Sequence, residues 1–388
     1  MVKNFFLLKN FKNIFSKNKD KKKILKILKE VLNENSQIIK SLGKTYQNSY
    51  KKKQLGKYKK SSNFRVIGMG GSALGTQAIY DFLKHKIKKK FIFINDLQKK
   101  QKKETKKVFS NLVVSKSGNT IETIVNANIL IKKNDKNIFI TENKKSYLRI
   151  LAERLKAEIV DHNNFIGGRY SVLSEVGMLP TELMGLNTNN FKQLNVLIKN
   201  KKFFDSLVNN VASIFFLIKK KRYNSVIINY DEKSESLFNW YQQLVAESLG
   251  KKKKGILPVI SKMPRDNHSV MQYYLEGSQK NLFTFFYVHD DKADKIKNQN
   301  ILSSYNFLKN KKISNIVYAQ KKATENVFNL KKIPFRSFEI LRRDEKALGE
   351  LFCFFILETI LLGKILNVNP FDQPAVELIK KETKKILI

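Results

Sequence analysis

The chain has 388 residues, 42% of them hydrophobic, which is enough for two packed domains with their own cores. Lys and Arg number 75 against 33 Asp and Glu, a formal charge of +42. Because the lysines fall in short runs between apolar segments, we interpret them as a solvated surface and expect no specific nucleic-acid partner. The single cysteine, Cys353, excludes an intrachain disulfide, and the longest apolar run, 351–363, is too short to span a membrane. These features predict a soluble cytoplasmic protein.

The first half of the chain alternates between strand and helix patterns. Residues 1–60 are predicted to be helical and peripheral, with one amphipathic stripe around Ile24 and Leu28. Four short apolar runs then predict strands at 64–67, 91–94, 109–114 and 137–140. Helical patterns separate them at 73–86, 120–132 and 146–157. Such alternation predicts a parallel sheet with helices on both faces.

A second series of the same kind begins near residue 203 and predicts a second α/β domain. It reads as a helix to Lys219, a strand at 225–229, a helix at 234–249, a strand at 283–288, a helix near 300–308 and a strand at 313–319. Two long helices, 344–365 and 372–387, close the chain. The predicted fold class is therefore α/β, with an N-terminal segment at 1–60 and two αβα sandwiches at 61–200 and 201–388.

The junction between the 109–114 strand and the next helix is rich in hydroxyls and hydrogen-bond donors. It reads Ser115-Lys116-Ser117-Gly118-Asn119-Thr120. Asn119 and Glu122 are spaced like a capping box, so the helix should begin there. Free N–H groups at a helix start bind anions, and these side chains suit a phosphate monoester better than a carboxylate. The alternative is an ordinary turn with a good N-cap.

A glycine-rich loop follows the first strand and allows two interpretations. Residues 68–73, Gly-Met-Gly-Gly-Ser-Ala, fit the G-x-G-x-x-G/A pattern, and Asp96 follows the next strand, which is the outline of a dinucleotide site and of a dehydrogenase. Alternatively, both loops line one crevice, where Gly71 and Ser72 approach a sugar phosphate held by residues 115–120. We favour the second interpretation because it needs only one small anion.

Three titratable residues stand where local rules would not place them. Glu247 falls on the apolar side of its helix, in the last turn before a glycine, with Gln243 one turn earlier on the same face. His268 follows a turn and capping cluster, so it is expected at a helix start. Lys380 lies at the edge of an apolar arc in the last helix and is expected to point inward. The alternatives are a solvated glutamate, a structural histidine and a solvated lysine.

Six motifs in fixed order make the chain resemble the phosphoglucose isomerase (glucose-6-phosphate isomerase) family. Between residues 66 and 385 they read GMGGSALG, VVSKSGNTIET, GGRYSVLSEVG, QQLVAESLGK, DNHSVMQ and NPFDQPAVELIK. The resemblance implies two sugar-isomerase (SIS) domains, a homodimer, and neither a metal nor an organic cofactor. It also implies interconversion of glucose 6-phosphate and fructose 6-phosphate, a step of glycolysis and gluconeogenesis, through a cis-enediol intermediate.

The resemblance assigns a role to each matching residue. Glu247 would be the base that moves a proton between C1 and C2, and Arg169 would stabilise the enediolate charge. His268, reaching across from the opposite subunit, and Lys380 would assist ring opening, while Gln243 would orient the sugar. The phosphate would be held by Ser115, Lys116, Ser117 and Thr120, with Gly71 and Ser72 beside it.

Departures from the family and two other functions remain open at this stage. The chain is shorter than family members usually are, its first 60 residues carry no family motif, and four lysines at 251–254 follow Glu247. An isomerase that also accepts mannose 6-phosphate is the nearest alternative, although Gln243 and the complete GGRYS motif argue against it. A sugar-phosphate-binding regulator could use the 115–120 loop alone, but it would not need Glu247, His268 and Lys380.

Overall fold

Two five-stranded sheets organise the chain. The computed structural model describes residues 6–11, 18–97, 108–132, 135–289 and 292–388. Its strands are β1 (Phe6–Lys9), β2 (Asn63–Ile67), β3 (Lys90–Ile94), β4 (Ser110–Val114), β5 (Lys136–Thr141), β6 (Glu158–Asp161), β7 (Asn224–Asn229), β8 (Leu257–Lys262), β9 (Asn281–Val288) and β10 (Phe335–Ile340). The predicted α/β class with parallel sheets is confirmed.

Helices cover both sheets and connect their strands. They are α1 (Asn18–Asn33), α2 (Gln37–Ser41), α3 (Gly56–Lys59), α4 (Leu74–Phe82), α5 (Ile121–Leu130), α6 (Tyr147–Arg154), α7 (Glu175–Leu183), α8 (Leu194–Leu197), α9 (Lys201–Lys219), α10 (Glu235–Leu249), α11 (Met271–Glu276), α12 (Ile313–Leu330), α13 (Glu345–Ile365) and α14 (Pro374–Leu387). Short 3-10 turns at Gly70–Ser72, Gly168–Leu173 and Arg265–His268 lie in the connections. Among the described helices, none is both long and apolar enough to cross a bilayer.

The first sheet has the order β3-β2-β4-β5-β6 and is parallel throughout. The chain leaves β2 toward β3 on one side and returns to β4 on the other, so the strand order reverses between β2 and β4. The loops after these strands, 68–72 and 115–120, therefore open at the same edge of the sheet. Ligands of open α/β sheets bind in the crevice at such a point.

The second sheet has the order β1-β10-β9-β7-β8, and only β1 runs antiparallel to its neighbour. The prediction that residues 1–60 are helical is thus wrong at Phe6–Lys9, which pairs with β10. The prediction that they are peripheral is wrong for α1, because Ile24, Leu28 and Val31 are buried against α9 and α13. The first sheet uses residues 63–161 and the second 224–340 with 6–9; domain limits at 60 and 200 stay a prediction.

The strand predicted at 313–319 is also wrong, since these residues begin α12. Lys321 and Glu325, one turn apart and both buried, form an ion pair at 2.8 Å. Lys321 also lies 2.6 Å from Glu339 of β10. This buried pairing requires helical spacing and fixes α12 against β10. The strand that follows β9 in the sequence is therefore β10 and not residues 313–319. The helix predicted near 300–308 is a 3-10 turn at Ser303–Leu308.

Helix α10 joins the two halves of the molecule. It packs on α4 of the first half and on α13 and β8 of the second. Trp240 meets Phe352 edge-on with ring centroids 4.8 Å apart. Tyr241 donates a hydrogen bond to Glu358 (3.1 Å), whose carboxylate is paired with the fully buried Arg336. Because its core side is fixed in this way, α10 can hold side chains of its other side at defined positions.

Candidate active site

Helix α10 carries Gln243 and Glu247 on neighbouring turns. Residues such as Leu244 and Val245 are buried in the core, while the Glu247 side chain is 23% exposed. The Gln243 amide Nε2 donates a hydrogen bond of 2.9 Å to Glu247 Oε2. A half-buried carboxylate, oriented by an amide one turn away, is therefore presented at the edge of the core, as the sequence pattern predicts.

Arg169 supplies the positive partner of Glu247. It lies in the Gly168–Leu173 turn, its side chain is 2% exposed, and its Nη1 is 3.0 Å from Glu247 Oε1. The same Nη1 donates to Gln373 Oε1 at 2.8 Å. Gln373 was not identified from the sequence as a site residue, although it stands inside the NPFDQPAVELIK motif; its proximity to Arg169 becomes visible only in the fold.

The remaining nitrogens of Arg169 fix its orientation. Nε donates to Ser248 Oγ at 2.7 Å, and Nη2 donates to the carbonyls of Pro370 (2.8 Å) and Asp372 (3.0 Å). Lys251 pairs with the Asp372 carboxylate at 2.7 Å, and this contact holds the pKa of Asp372 below its usual range. The lysine run at 251–254 thus contributes to the rim of this cluster through Lys251.

The glycine-rich loop reaches the same cluster. Gly71 packs so closely on the Gly168 backbone that a Cβ on it would lie 2.2 Å from the Gly168 carbonyl carbon. Gly70, at φ +50°, leaves no room for a side chain next to the Gln243 amide, which would lie 2.8 Å from its Cβ. Both glycines therefore permit a close approach of the loop to Gln243 and Arg169.

The 115–120 loop joins β4 to α5 as predicted, but its helix cap differs from the prediction. The helix begins at Ile121 with Thr120 at the N-cap position. Asn119 forms no capping box with Glu122: its Oδ1 accepts from the Tyr147 N–H at 3.0 Å, at the start of α6. The physical reason is that the Tyr147 N–H, in the first turn of α6, has no acceptor within its own helix and lies beside the loop.

Two hydroxyls of this loop are hydrogen-bonded to each other, and a third accepts from the main chain. Ser115 Oγ and Thr120 Oγ1 lie 2.9 Å apart, and Ser117 Oγ accepts from the Asn119 N–H at 3.2 Å. Gly118 adopts φ +66°, which folds the loop back over the helix start. Hydroxyls and main-chain N–H groups around a helix start are the donors that suit a phosphate.

Lys116 extends from this loop toward residues 162–168. Its Nζ donates to the Asn164 carbonyl at 2.8 Å and lies 3.6 Å from Glu142 Oε1. The ammonium is thereby held between a carbonyl and a carboxylate on the wall of a cavity of about 610 Å³.

Two cavities adjoin at Gln373, which lines both. The 610 Å³ cavity is bounded by the 35–38 segment, Lys116, Gly168 and Phe371. The second, of about 510 Å³, is bounded by Glu247, Lys251 and the first turn of α14. The arrangement therefore places Lys116 of the 115–120 loop on one side of Gln373 and the Glu247 carboxylate on the other.

Within this chain the structure does not bring His268 to Glu247. His268 is exposed in the Arg265–His268 turn after β8. Lys262, the last residue of β8, forms an ion pair with Glu235 at the start of α10. Glu247 follows Glu235 by twelve residues, about 18 Å along a helix that rises 1.5 Å per residue.

Lys380 is also outside the cluster, and its expected inward orientation is wrong in this structure. Every residue of α14 is exposed, and Lys380 Nζ pairs with Glu377 at 2.6 Å with its side chain 64% exposed. Within the described part of the chain no residue of α14 is buried, its apolar arc included, so the helix turns no lysine inward.

The close approach of Gly71 to Gly168 yields the first test. Gly71→Ala should lower the free energy of unfolding by about 1–3 kcal/mol, because the added methyl must displace the Gly168 backbone. The measurement is urea denaturation followed by circular dichroism. Gly56→Ala is the matched control, since a Cβ at Gly56 has nothing within 4 Å; equal stability of both variants would contradict the close packing.

Comparison with known proteins places the chain in a family. Residues 12–262 match the sequence model described as phosphoglucose isomerase. A glucose-6-phosphate isomerase of Methanocaldococcus jannaschii is 31% identical over 354 residues, covering 84% of this chain and 85% of that protein. Its counterpart in Mycoplasmopsis pulmonis is 32% identical over 350 residues, covering 83% of this chain and 82% of that protein.

Solved structures agree in fold. A hypothetical protein of Thermus thermophilus superposes with a TM-score of 0.81 at 22% identity, covering 95% of this chain and 94% of that chain. A glucose-6-phosphate isomerase of Chlamydia trachomatis gives a TM-score of 0.72 at 17% identity, covering 95% of this chain and 84% of that chain. With the family model matching more than half of its length and relatives above 30% identity across most of it, the chain belongs to the phosphoglucose isomerase family.

Proposed function

We propose that this protein interconverts glucose 6-phosphate and fructose 6-phosphate through a cis-enediol intermediate, as an aldose–ketose isomerase of glycolysis and gluconeogenesis. The observation that carries the proposal is the position of the Glu247 carboxylate, 3.0 Å from the Arg169 guanidinium and 2.9 Å from the Gln243 amide. The reaction needs a base and a positive group beside the carbon atoms that exchange a proton. These side chains meet both needs.

In the forward reaction Glu247 removes the proton from C2 of the open-chain aldose. The electron pair left on C2 moves into the C1–C2 bond, and the negative charge develops on the C1 carbonyl oxygen. Arg169 stabilises that charge, since its guanidinium is already oriented by Ser248, Pro370 and Asp372 and need not reorganise. Glu247 then returns its proton to C1 while the proton of the C2 hydroxyl passes to the C1 oxygen, which gives the ketose with its C2 carbonyl and C1 hydroxyl.

The phosphate binds in our proposal at the 115–120 loop, away from the reacting carbons. Ser115 and Thr120 stand together at the start of α5, Ser117 and Lys116 supply further donors, and Gly71 and Ser72 lie on the neighbouring loop. Binding energy from the phosphate then holds C1 and C2 near Glu247, a use of remote binding energy common to enzymes with small substrates. Gln243 orients both the sugar and the base.

We infer that the working unit is a homodimer in which His268 enters the site of the partner subunit. Within one chain His268 and Glu247 lie near opposite ends of α10. The His268 turn follows β8, whose last residue pairs with Glu235, and the helix rises about 18 Å from Glu235 to Glu247. The histidine is exposed, and Asp266 fixes its turn by accepting from the Lys262 N–H at 2.8 Å. An exposed imidazole on a fixed turn is suited to reach into another subunit and assist ring opening.

Lys380 has a place in this proposal only when α14 packs against the site. The first turn of α14 already lines the cavity beside Glu247, and Lys380 lies about one and a half turns further along the helix. The exposed apolar arc of α14, which includes Val376 and Ile379, supports such packing. Closure of the helix would bring the ammonium toward the ring oxygen of the cyclic substrate.

We place the reaction in the cytoplasm. Cys353 is buried in α13, and burial raises the pKa of its thiol to about 12. A single protected thiol is consistent with a reducing compartment.

The role of Glu247 is tested by Glu247→Gln, which keeps the shape and removes the base. Turnover should fall by about 10²- to 10⁴-fold, the usual contribution of general acid–base catalysis, while the affinity for fructose 6-phosphate changes little. Glu153→Gln, a change of an exposed glutamate on α6, is the control and should keep wild-type turnover. Undiminished exchange of the C2 proton with solvent in Glu247→Gln would show that the base lies elsewhere.

The composite site is tested by subunit exchange between two inactive proteins, His268→Ala and Glu247→Gln. In a heterodimer one site contains both substitutions and the other contains neither. One of the two sites should therefore recover full turnover. Each variant mixed with itself is the control and should stay inactive. Verified heterodimers that regain no activity, or isolated monomers with full activity, would mean that His268 does not cross the interface.

A further inference from the structure

A buried polar network lies beneath the loop that holds Lys116. Glu175, the first residue of α7, is fully buried. Its Oε2 accepts from the Tyr46 hydroxyl at 2.9 Å and its Oε1 from the Asn163 N–H at 2.7 Å. Asn163 Nδ2 in turn donates to the Tyr46 hydroxyl oxygen at 3.3 Å. His162 lies 3.9 Å from the same carboxylate, with 1% of its side chain exposed.

This network shapes the turn that presents the Asn164 carbonyl. Asn163 Oδ1 accepts from the Phe165 N–H at 3.0 Å, and the Asn163 carbonyl accepts from the Ile166 N–H at 3.1 Å. Asn164 lies between these two bonds, and its carbonyl accepts from Lys116 Nζ. The Glu175 carboxylate therefore acts on Lys116 through one fixed turn.

Packing alone does not account for a carboxylate at this position. A buried carboxylate is costly unless donors surround it, and an apolar side chain of similar volume would fill the same space without that cost. Burial lowers the pKa of the neighbouring His162, so the imidazole favours its neutral form. Burial also raises the pKa of Tyr46, which keeps its hydroxyl available as a donor. Glu175 thus depends on hydrogen bonds from Tyr46 and Asn163.

The Lys116 ammonium has two competing partners, the Asn164 carbonyl and the Glu142 carboxylate. The position of the turn that carries Asn164 determines which of them it binds. Glu142 lies 3.6 Å from its ammonium and also binds Lys144 at 2.6 Å. Without the Asn164 carbonyl, Glu142 would be the partner left to Lys116, and the flexible lysine stem would lose its fixed direction. A less well-directed ammonium binds phosphate more weakly.

We propose that Glu175, together with Tyr46 of the N-terminal segment, is a positioning residue for binding of the substrate phosphate: it fixes the Asn163 turn so that the Asn164 carbonyl holds the ammonium of Lys116, a residue of the 115–120 loop, in one direction. The inference rests on the proposed function, which assigns the phosphate to that loop. It also gives Tyr46, which lies outside the six motifs quoted from the sequence, a part in the site.

The test compares Glu175→Ala and Glu175→Gln, with isothermal titration of inorganic phosphate and steady-state turnover of fructose 6-phosphate as readouts. Glu175→Ala should raise the Kd for phosphate and the KM for the sugar phosphate by the same factor, about five- to tenfold, with kcat within twofold of wild type. Glu175→Gln keeps an acceptor for the Asn163 N–H and should restore most of the affinity. Tyr46→Phe should give a smaller loss of the same kind.

A structural role is separated from positioning by a control and by a double mutant. Glu325→Ala, which removes a buried and ion-paired glutamate in the other half of the molecule, should lower stability and leave Kd and KM unchanged. In a Lys116→Met background, Tyr46→Phe and Glu175→Ala should have no further effect on phosphate affinity. If Glu175→Ala does not fold, Tyr46→Phe measured with and without Lys116 still decides the matter.

Two outcomes would overturn the inference. If wild type binds phosphate and turns over substrate, and Glu175→Ala and Tyr46→Phe match it in Kd, the positioning role is wrong while the proposed function stands. If the losses of phosphate affinity caused by Glu175→Ala and Tyr46→Phe persist in full in the Lys116→Met background, the network acts through another group and the inference is wrong. A wild-type protein that neither binds phosphate nor isomerises fructose 6-phosphate would overturn both the proposed function and the inference.

Discussion

The structure depends on one buried cation, the guanidinium of Arg169. A charge that is 2% exposed must be surrounded by acceptors, because an unpaired buried charge is strongly unfavourable. Its acceptors come from α10 through Glu247 and Ser248 and from the segment before α14 through Gln373 and two carbonyls. Satisfying this one side chain therefore brings three distant parts of the chain to one point, which is where the proposed base stands.

Neighbouring contacts reinforce that junction. The carbonyl of Arg169 accepts from the Trp240 indole N–H at 3.2 Å, and the Tyr170 hydroxyl donates to the Pro370 carbonyl at 3.0 Å. Gly71 closes on the turn from the other side. Loss of any of these contacts would shift Arg169 relative to Glu247, so the geometry of the site depends on the packing of the core.

Much of this could be predicted from sequence, because some signals are local. Buried parallel strands such as β4 read as short apolar runs, and the loops after β2 and β4 carry their glycines and hydroxyls in the sequence itself. Glu247 was identified because it breaks the pattern of its own helix. The dehydrogenase interpretation draws on the glycine-rich loop and on Asp96; family membership supports the isomerase over it.

The features that were missed depend on contacts between distant residues. Strand β1 has four residues and is recognisable only through its pairing with β10, and β8 is an edge strand with alternating exposure and a proline. The 313–319 segment forms a helix because Lys321 meets Glu339 of β10. Gln373 and the Asn164 carbonyl enter the site through tertiary contacts that no local spacing reveals. Lys380 is predicted to point inward because an apolar arc on a helix implies a packing partner. The arc does not specify whether that partner belongs to this chain or to another subunit.

The most direct test of the central claim is a coupled assay on the purified protein, with fructose 6-phosphate and mannose 6-phosphate offered separately and the formation of glucose 6-phosphate and fructose 6-phosphate followed. The account predicts rapid conversion of fructose 6-phosphate to glucose 6-phosphate and no comparable turnover of mannose 6-phosphate. No glucose 6-phosphate from fructose 6-phosphate would contradict the proposed reaction, and equal rates with both sugars would contradict its specificity.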